Sequence, residues 1–407
     1  MQKLSSALEH STTIAAGSAD LGARLADPAW LAALRADAAS AADSLAWPDS
    51  RRERPWKYLD ISGMSLDPYK PAPGHTTLSA AAEGLRLTAF GAADETAMAV
   101  IQSSLGTRVA PRQSKLTALH YAFLEDGVLV QTEPNAEAGD VRISRDYATA
   151  GTLVAPHTLI VTGANSRVSV VEDFHSADGD ILALPVLEVV PGPGSEVRYT
   201  AFHRWGSQTR VFTYQTAITG RDSAFIGLNV VTGGLVVKGH LHSALEGRGS
   251  SSELFGLCLG DGHQHVDFYT IQDHIAADTR SDLLYKSALK GSSRSVYYGL
   301  TRVGLEARNA DANQENRNLL LSHEAKADSD PVLEILTSNI VRCSHGATAG
   351  PVDEEQLFYL QARGIPRPKA EALLVRAFLG QVVARVPGEA LREEIEGVIE
   401  AKLGKLE

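Results

Sequence analysis

Glycines at 163, 192, 220 and 247 cut the middle of this 407-residue chain into steps of 29, 28 and 27 residues, and a serine follows each within a few positions. Between and beyond these turns run short β-branched segments, HTLIVTG, SRVSVVEDF, ILALPVLEVV, RVFTYQTAITG and SVYYGLTRVG, bounded by Gly, Asp, Ser and Asn. Such composition marks strands. A near-constant period of this size implies stacked repeats, in which no single coil buries its face without its neighbours. A parallel β-helix fits best. The rival is a double-sheet sandwich or jelly roll, which a degenerate period also permits.

Helical patterns flank this region. Residues 19–46 are rich in Ala and Leu, with Trp30, Leu34 and Ala38 at helical spacing. Pro48, Pro55, Pro68, Pro71 and Pro73 then interrupt regular structure, so Trp56 and Tyr58 are expected on an irregular segment pinned by its aromatics. After Gly350 three helices are predicted. In the first, Asp353, Glu354 and Glu355 suit the positive end of a helix dipole, and Gly364 with Pro366 stops it. The others run from about 368 to 386 and from about 388 to 403. The expected plan is an N-terminal helical domain with an irregular linker over 1–85, a parallel β-helix core over 86–345 and a C-terminal helical domain over 346–407.

Lys and Arg number 38 against 49 Asp and Glu, a formal charge of −11. That balance disfavours nucleic acid or an anionic membrane as partner. Cys258 and Cys343 are too few for a disulfide framework and suit a reducing cytosol. The first twenty residues lack the apolar core of a secretory signal, and Glu9 and Asp20 argue against an organellar peptide. A soluble cytoplasmic protein is expected.

Several chemistries lack their motifs. There is no phosphate-cradling G-x-x-x-x-G-K-[ST] loop, so the chain should not hydrolyse ATP, and no G-x-S-x-G elbow to support acyl transfer. GLVVKGHLHSALE, residues 234–246, matches the first part of a cupin metal motif, with His240, His242 and Glu246 as ligands. The match then fails, because Glu253 stands where glycine is wanted and no second motif follows. A second pair, His263 and His265, could stack on the next coil. Cys343 and His345, two apart, share one face if their segment is extended. Thiolate and imidazole suit iron–sulfur clusters, zinc or copper, but two ligands do not complete a shell.

Read together, CSHGAT, DEEQLFYL and ARGI within 341–365 resemble the C-terminal signature of the SufD branch of the SufB/SufD family, scaffold components of SUF iron–sulfur cluster assembly. RRERPWKYLD (51–60), QHVD (264–267) with His274, and NLLLSHEAKADSDPVLEI (318–335) resemble further blocks of that family. The resemblance implies a right-handed β-helix between helical domains. It also implies a non-catalytic scaffold that pairs with SufB and binds the ABC-type ATPase SufC through its C-terminal helices, with a homodimer in isolation as a further expectation. Phe358, Tyr359, Arg363, Gly364 and Phe378 are the expected SufC contacts. His345 and Cys343 are expected at the SufB-facing edge, where they help hold a transient cluster of the assembled complex. No cofactor is expected to stay tightly bound to the isolated chain. A β-domain metalloenzyme using His240, His242 and Glu246 is the alternative.

Overall fold

The periodic glycines are turn residues stacked on one another. In the computed structural model, which describes residues 14–80 and 82–404, Gly163, Gly192 and Gly247 each press against the turn backbone of the preceding coil. A Cβ on Gly192, for example, would lie 2.6 Å from the Thr162 carbonyl. Two residues after each glycine the chain enters left-handed backbone, at Asn165, Gly194, Asp222 and Gly249. Only Asn, Asp and Gly enter that region readily. The next residue, a serine, closes the turn: Ser166, Ser195 and Ser223 donate to the carbonyls of Gly163, Gly192 and Gly220 at 2.7–2.9 Å. Thr132 and Thr162 link the turns of successive coils through Ser166 and Ser195.

The coils pair in parallel and build a β-solenoid of about eight turns with two long sheets. In the first sheet the column Tyr214, His240, Tyr269, Tyr298 and Asp330 repeats once per coil. In the second, Tyr199, Gly227, Leu254, Leu283, Gln314 and His345 do the same. Among the described residues, pairing turns antiparallel only where His75–Ser79 and Leu85–Ala89 close one end. The lumen is filled by a continuous core running from Val128 to Ala325. This is the parallel β-helix, and the sandwich reading is excluded.

Each sheet also buries its outer face. The N-terminal helices, among them Ala29–Ser44, cover Leu159, Val186 and Phe212 on the first sheet. Helices Arg367–Val383 and Glu389–Leu403 lay Val375, Leu379, Ile395 and Ile399 over Phe202, Phe255, Leu257 and Leu259 on the second. Residues 86–345 are not β throughout. Helices Glu95–Ser104 and Lys115–Ala122 occupy part of that range, and the final strand continues to Pro351. Lys115–Ala122 shows no amphipathic pattern because every residue from Leu116 to Ala122 is buried. Residues 1–13, including Glu9, and 405–407 lie outside the described residues. Among the described residues no helix is long and apolar enough to cross a membrane.

Candidate functional site

Where the antiparallel strands close one end of the solenoid, the other end is left open. Its last strands are Lys326–Ile335 in the first sheet and Ile340–Pro351 in the second, and both present an unpaired edge. Ile340–Pro351 runs beside Ala310–Leu320, placing Cys343 opposite Ala312 and His345 opposite Gln314. Ala312 and Gln314 are buried in the lumen, so Cys343 and His345 share the lumen face at its mouth. The register slips between Ala310 and Asp311, where Val341 is the extra residue, and its side chain is 68% exposed. Leu305, Ile335 and Leu336 are exposed on the same last coils.

The two donors differ. Cys343 is half-buried beside Val303, Ala307 and Ala310, and burial pushes its thiol up from the ordinary range. A thiolate there forms when a metal displaces the proton. His345 is exposed. Behind them the lumen is lined with neutral polar groups. Thr301 donates to Gln314 at 2.9 Å, Gln314 donates to the Gly299 carbonyl at 3.1 Å, and Asn318 donates to the Thr348 carbonyl at 3.2 Å. Among the described residues no three His, Cys, Asp or Glu side chains are grouped as a metal site requires. The mouth therefore supplies two soft ligands, and a cluster needs more.

The metalloenzyme constellation does not assemble. His240 and His242 lie on the outer face of Val236–Leu245, and Glu246 is exposed in the turn beyond it. His240 stacks on Tyr214 at 4.7 Å, with Trp56 and Tyr269 closing the remaining sides. Burial drives its pKa down to about 3. Nor do the H-x-H pairs stack, because His265 lies opposite Val236 and Tyr269 opposite His240.

The C-terminal residues fall into two groups. Helix Glu354–Ala362, whose N-terminus is capped by Asp353, presents Phe358 at 73% and Tyr359 at 58% exposure. The Arg363 guanidinium lies 4.9 Å above the Tyr359 ring, and Gly364, with φ of 84°, turns the chain away. Phe378 is separate from this face. It packs against the second sheet with the Lys286 ammonium 4.2 Å from its ring, and Lys286 donates to the Phe378 carbonyl at 2.9 Å.

Residues 51–60 and 264–267, far apart in sequence, converge in space. Lys238 donates to the Pro55 carbonyl at 2.6 Å, lies 4.8 Å from the Trp56 ring and pairs with Asp267. Nothing in the local pattern around Lys238 signals this partner. These motif blocks hold a strap onto the first sheet.

Comparison with known proteins adds an independent line. Residues 145–378 match the model for the SufBD core domain of SUF system FeS cluster assembly. An iron–sulfur cluster assembly SufBD family protein of Mycobacterium tuberculosis is 36% identical over 206 residues, 49% of this chain and 52% of that protein. The chain thus spans about half the length of the mycobacterial relatives it matches. The iron–sulfur cluster assembly protein SufD of Bacillus subtilis is 31% identical over 301 residues, 72% of this chain and 67% of the relative. SufD of Escherichia coli is 29% identical over 184 residues, 45% and 43% of the two chains.

Proposed function

Since this chain belongs to the SufBD family of the SUF iron–sulfur cluster assembly system, we propose that it is a non-catalytic scaffold subunit that pairs with SufB through its open end and carries SufC on its C-terminal helices. The observation that carries this reading is the mouth of the solenoid, an unpaired edge strand with Cys343 and His345 on its lumen face and Val341, Leu305 and Leu336 exposed around it. An uncovered edge of this length is a template for strand addition, and exposed apolar side chains mark a contact surface. A second subunit seated there supplies the missing ligands, so the nascent cluster is a shared cargo. Phe358 and Tyr359 suit the docking of the ATPase, because exposed aromatics commonly anchor interfaces. ATP chemistry then belongs to the partner, and a cytoplasmic setting follows from the same assignment.

The test is anaerobic co-purification of the chain with SufB and SufC, followed by iron and sulfide analysis. His345→Ala should leave the complex assembled and sharply lower its cluster content. An intact complex with normal iron and sulfide removes the ligand role. A complex that no longer forms makes His345 a contact residue instead.

A further inference from the structure

Beneath the N-terminal helices, two histidines and a glutamate form a sealed hydrogen-bond chain unrelated to the mouth of the solenoid. His120, in helix Lys115–Ala122, places Nδ1 2.7 Å from the Leu184 carbonyl and Nε2 3.0 Å from His157 Nδ1. His157, on the outer face of strand Pro156–Val161, places its own Nε2 3.3 Å from Glu188 Oε2. All three side chains are shut off from solvent. Glu188, on strand Val186–Val190, also accepts the backbone N–H groups of Gly106, Arg108 and Val109 at 2.6–2.9 Å. Three such donors fix it as a carboxylate.

Both ends of this chain are acceptors only, a carbonyl and a carboxylate. Three contacts need three protons, whereas two neutral imidazoles carry two. The 2.7 and 3.0 Å contacts have the lengths of hydrogen bonds. The shortfall falls on the third, where His157 Nε2 has no hydrogen-bond partner. We infer that the His120–His157–Glu188 chain is a proton-operated clamp: one solvent proton binds at His157 Nε2, converts the last contact into a buried imidazolium–carboxylate pair and tightens the N-terminal helices against the β-helix.

The surroundings place the proton on His157. Burial, with His157 beside it, holds the His120 imidazole well below its usual range. The other charged groups packed here are already committed. Arg35, from Ala29–Ser44, pairs with Asp27 and donates to the Ala122 carbonyl, and Arg145, from the lumen side, pairs with Asp126 and Glu172 and donates to the His157 carbonyl. Both cations oppose protonation. Tyr121 donates to the Val109 carbonyl at 2.7 Å and lies 3.2 Å from Glu188 Oε2. Glu188 Oε2, 3.3 Å away, is therefore the carboxylate oxygen that faces His157 Nε2.

Hydrogen exchange of the amides in Lys115–Ala122, corrected for the intrinsic effect of pH, reads the clamp in the full chain. As pH rises above about 6.5, the ordinary value of an imidazole in the unfolded chain, protection should fall by up to about tenfold per pH unit as the proton leaves, the dependence of one linked proton. Glu188→Gln gives His157 Nε2 an amide donor and satisfies the chain while it is neutral, so the loss of protection above about pH 6.5 should disappear, while the weakening by acid through the other buried histidines remains. The same loss above about pH 6.5 in both proteins overturns the proposal. Should the variant not fold, ring ¹⁵N shifts of the unaltered protein decide: three protonated nitrogens among the four of His120 and His157 support the clamp, and two at every pH down to 5 reject it.

Discussion

Lys238 and Asp267 lie opposite each other on neighbouring strands, 2.7 Å apart, with both side chains excluded from water. Burial opposes the charge on each. Asp267 is nonetheless held below the usual carboxylate range by the ammonium beside it, and Lys238 is lowered by its burial. The Pro55 carbonyl and the Trp56 ring complete the lysine's surroundings, so the pair ties residues 51–60 to the first sheet.

Removing one partner strands the other. Lys238→Met should cost about 3–5 kcal/mol in denaturant unfolding, because Asp267 is left as an uncompensated buried charge. Lys238→Met with Asp267→Leu should cost clearly less than Lys238→Met alone. If the double variant is the worse of the two, the pair contributes more than mutual neutralisation.

The stacked turns allow a sharper contrast. Gly247→Ala drives a methyl into the Gly220–Arg221 backbone of the coil below, whereas nothing lies within 4 Å of a Cβ at Gly350. The first should destabilise by roughly 1–3 kcal/mol or more, and the second should stay within about 0.5 kcal/mol. Equal melting temperatures for the two variants would mean that the coils are not closely stacked there.

Acid should weaken the fold through its buried imidazoles. Burial lowers His203 and His274 to about 4 and His240 to about 3. The unfolded chain takes up these protons from about pH 6.5 downward while the folded chain does not, so stability falls as pH falls through that window. Each group contributes up to about 1.4 kcal/mol per pH unit. His240→Phe should flatten the slope by about one proton, measured by denaturant titrations between pH 7 and 5. A slope unchanged in the variant would place His240 in contact with water.

The stacking period was legible because it rests on local chemistry: a glycine that admits the neighbouring coil, a left-handed Asn, Asp or Gly, and a serine closing the turn. Other features depend on contacts that local pattern does not encode. SSELFGLCLG shows no polar alternation because Leu254 and Cys258 fill the lumen while Phe255, Leu257 and Leu259 meet the C-terminal helices. His240-x-His242 reads as a ligand pair until Trp56, from a distant segment, walls it in. That Cys343 and His345 share a face follows from their spacing. That this face is the lumen mouth follows only from their register against Ala312 and Gln314.

The C-terminal residues should separate by phenotype. Phe358 and Tyr359 are exposed, so replacing both by Ala should change stability by less than about 1 kcal/mol while weakening SufC binding at least tenfold in calorimetry. Phe378→Ala removes packing over Lys286 and the second sheet and should cost about 2–4 kcal/mol. Undiminished SufC binding by the double variant would move the docking surface off Glu354–Ala362.

The thiol at the mouth carries its own signature. Burial raises Cys343 above the ordinary thiol range, and a thiol must lose its proton to ligate iron. If Cys343 is a ligand, cluster loading of the assembled complex should strengthen with rising pH, by up to about tenfold per unit while the thiol remains protonated. His345→Ala should lower loading and keep that slope, because the thiol still releases its proton. Cys343→Ser should lower loading and lose the slope, since the hydroxyl does not ionise in this range. Iron and sulfide retained after anaerobic gel filtration at pH 6.5, 7.5 and 8.5 give the comparison. A slope that survives in Cys343→Ser belongs to another group and removes Cys343 as the ligand that sets it.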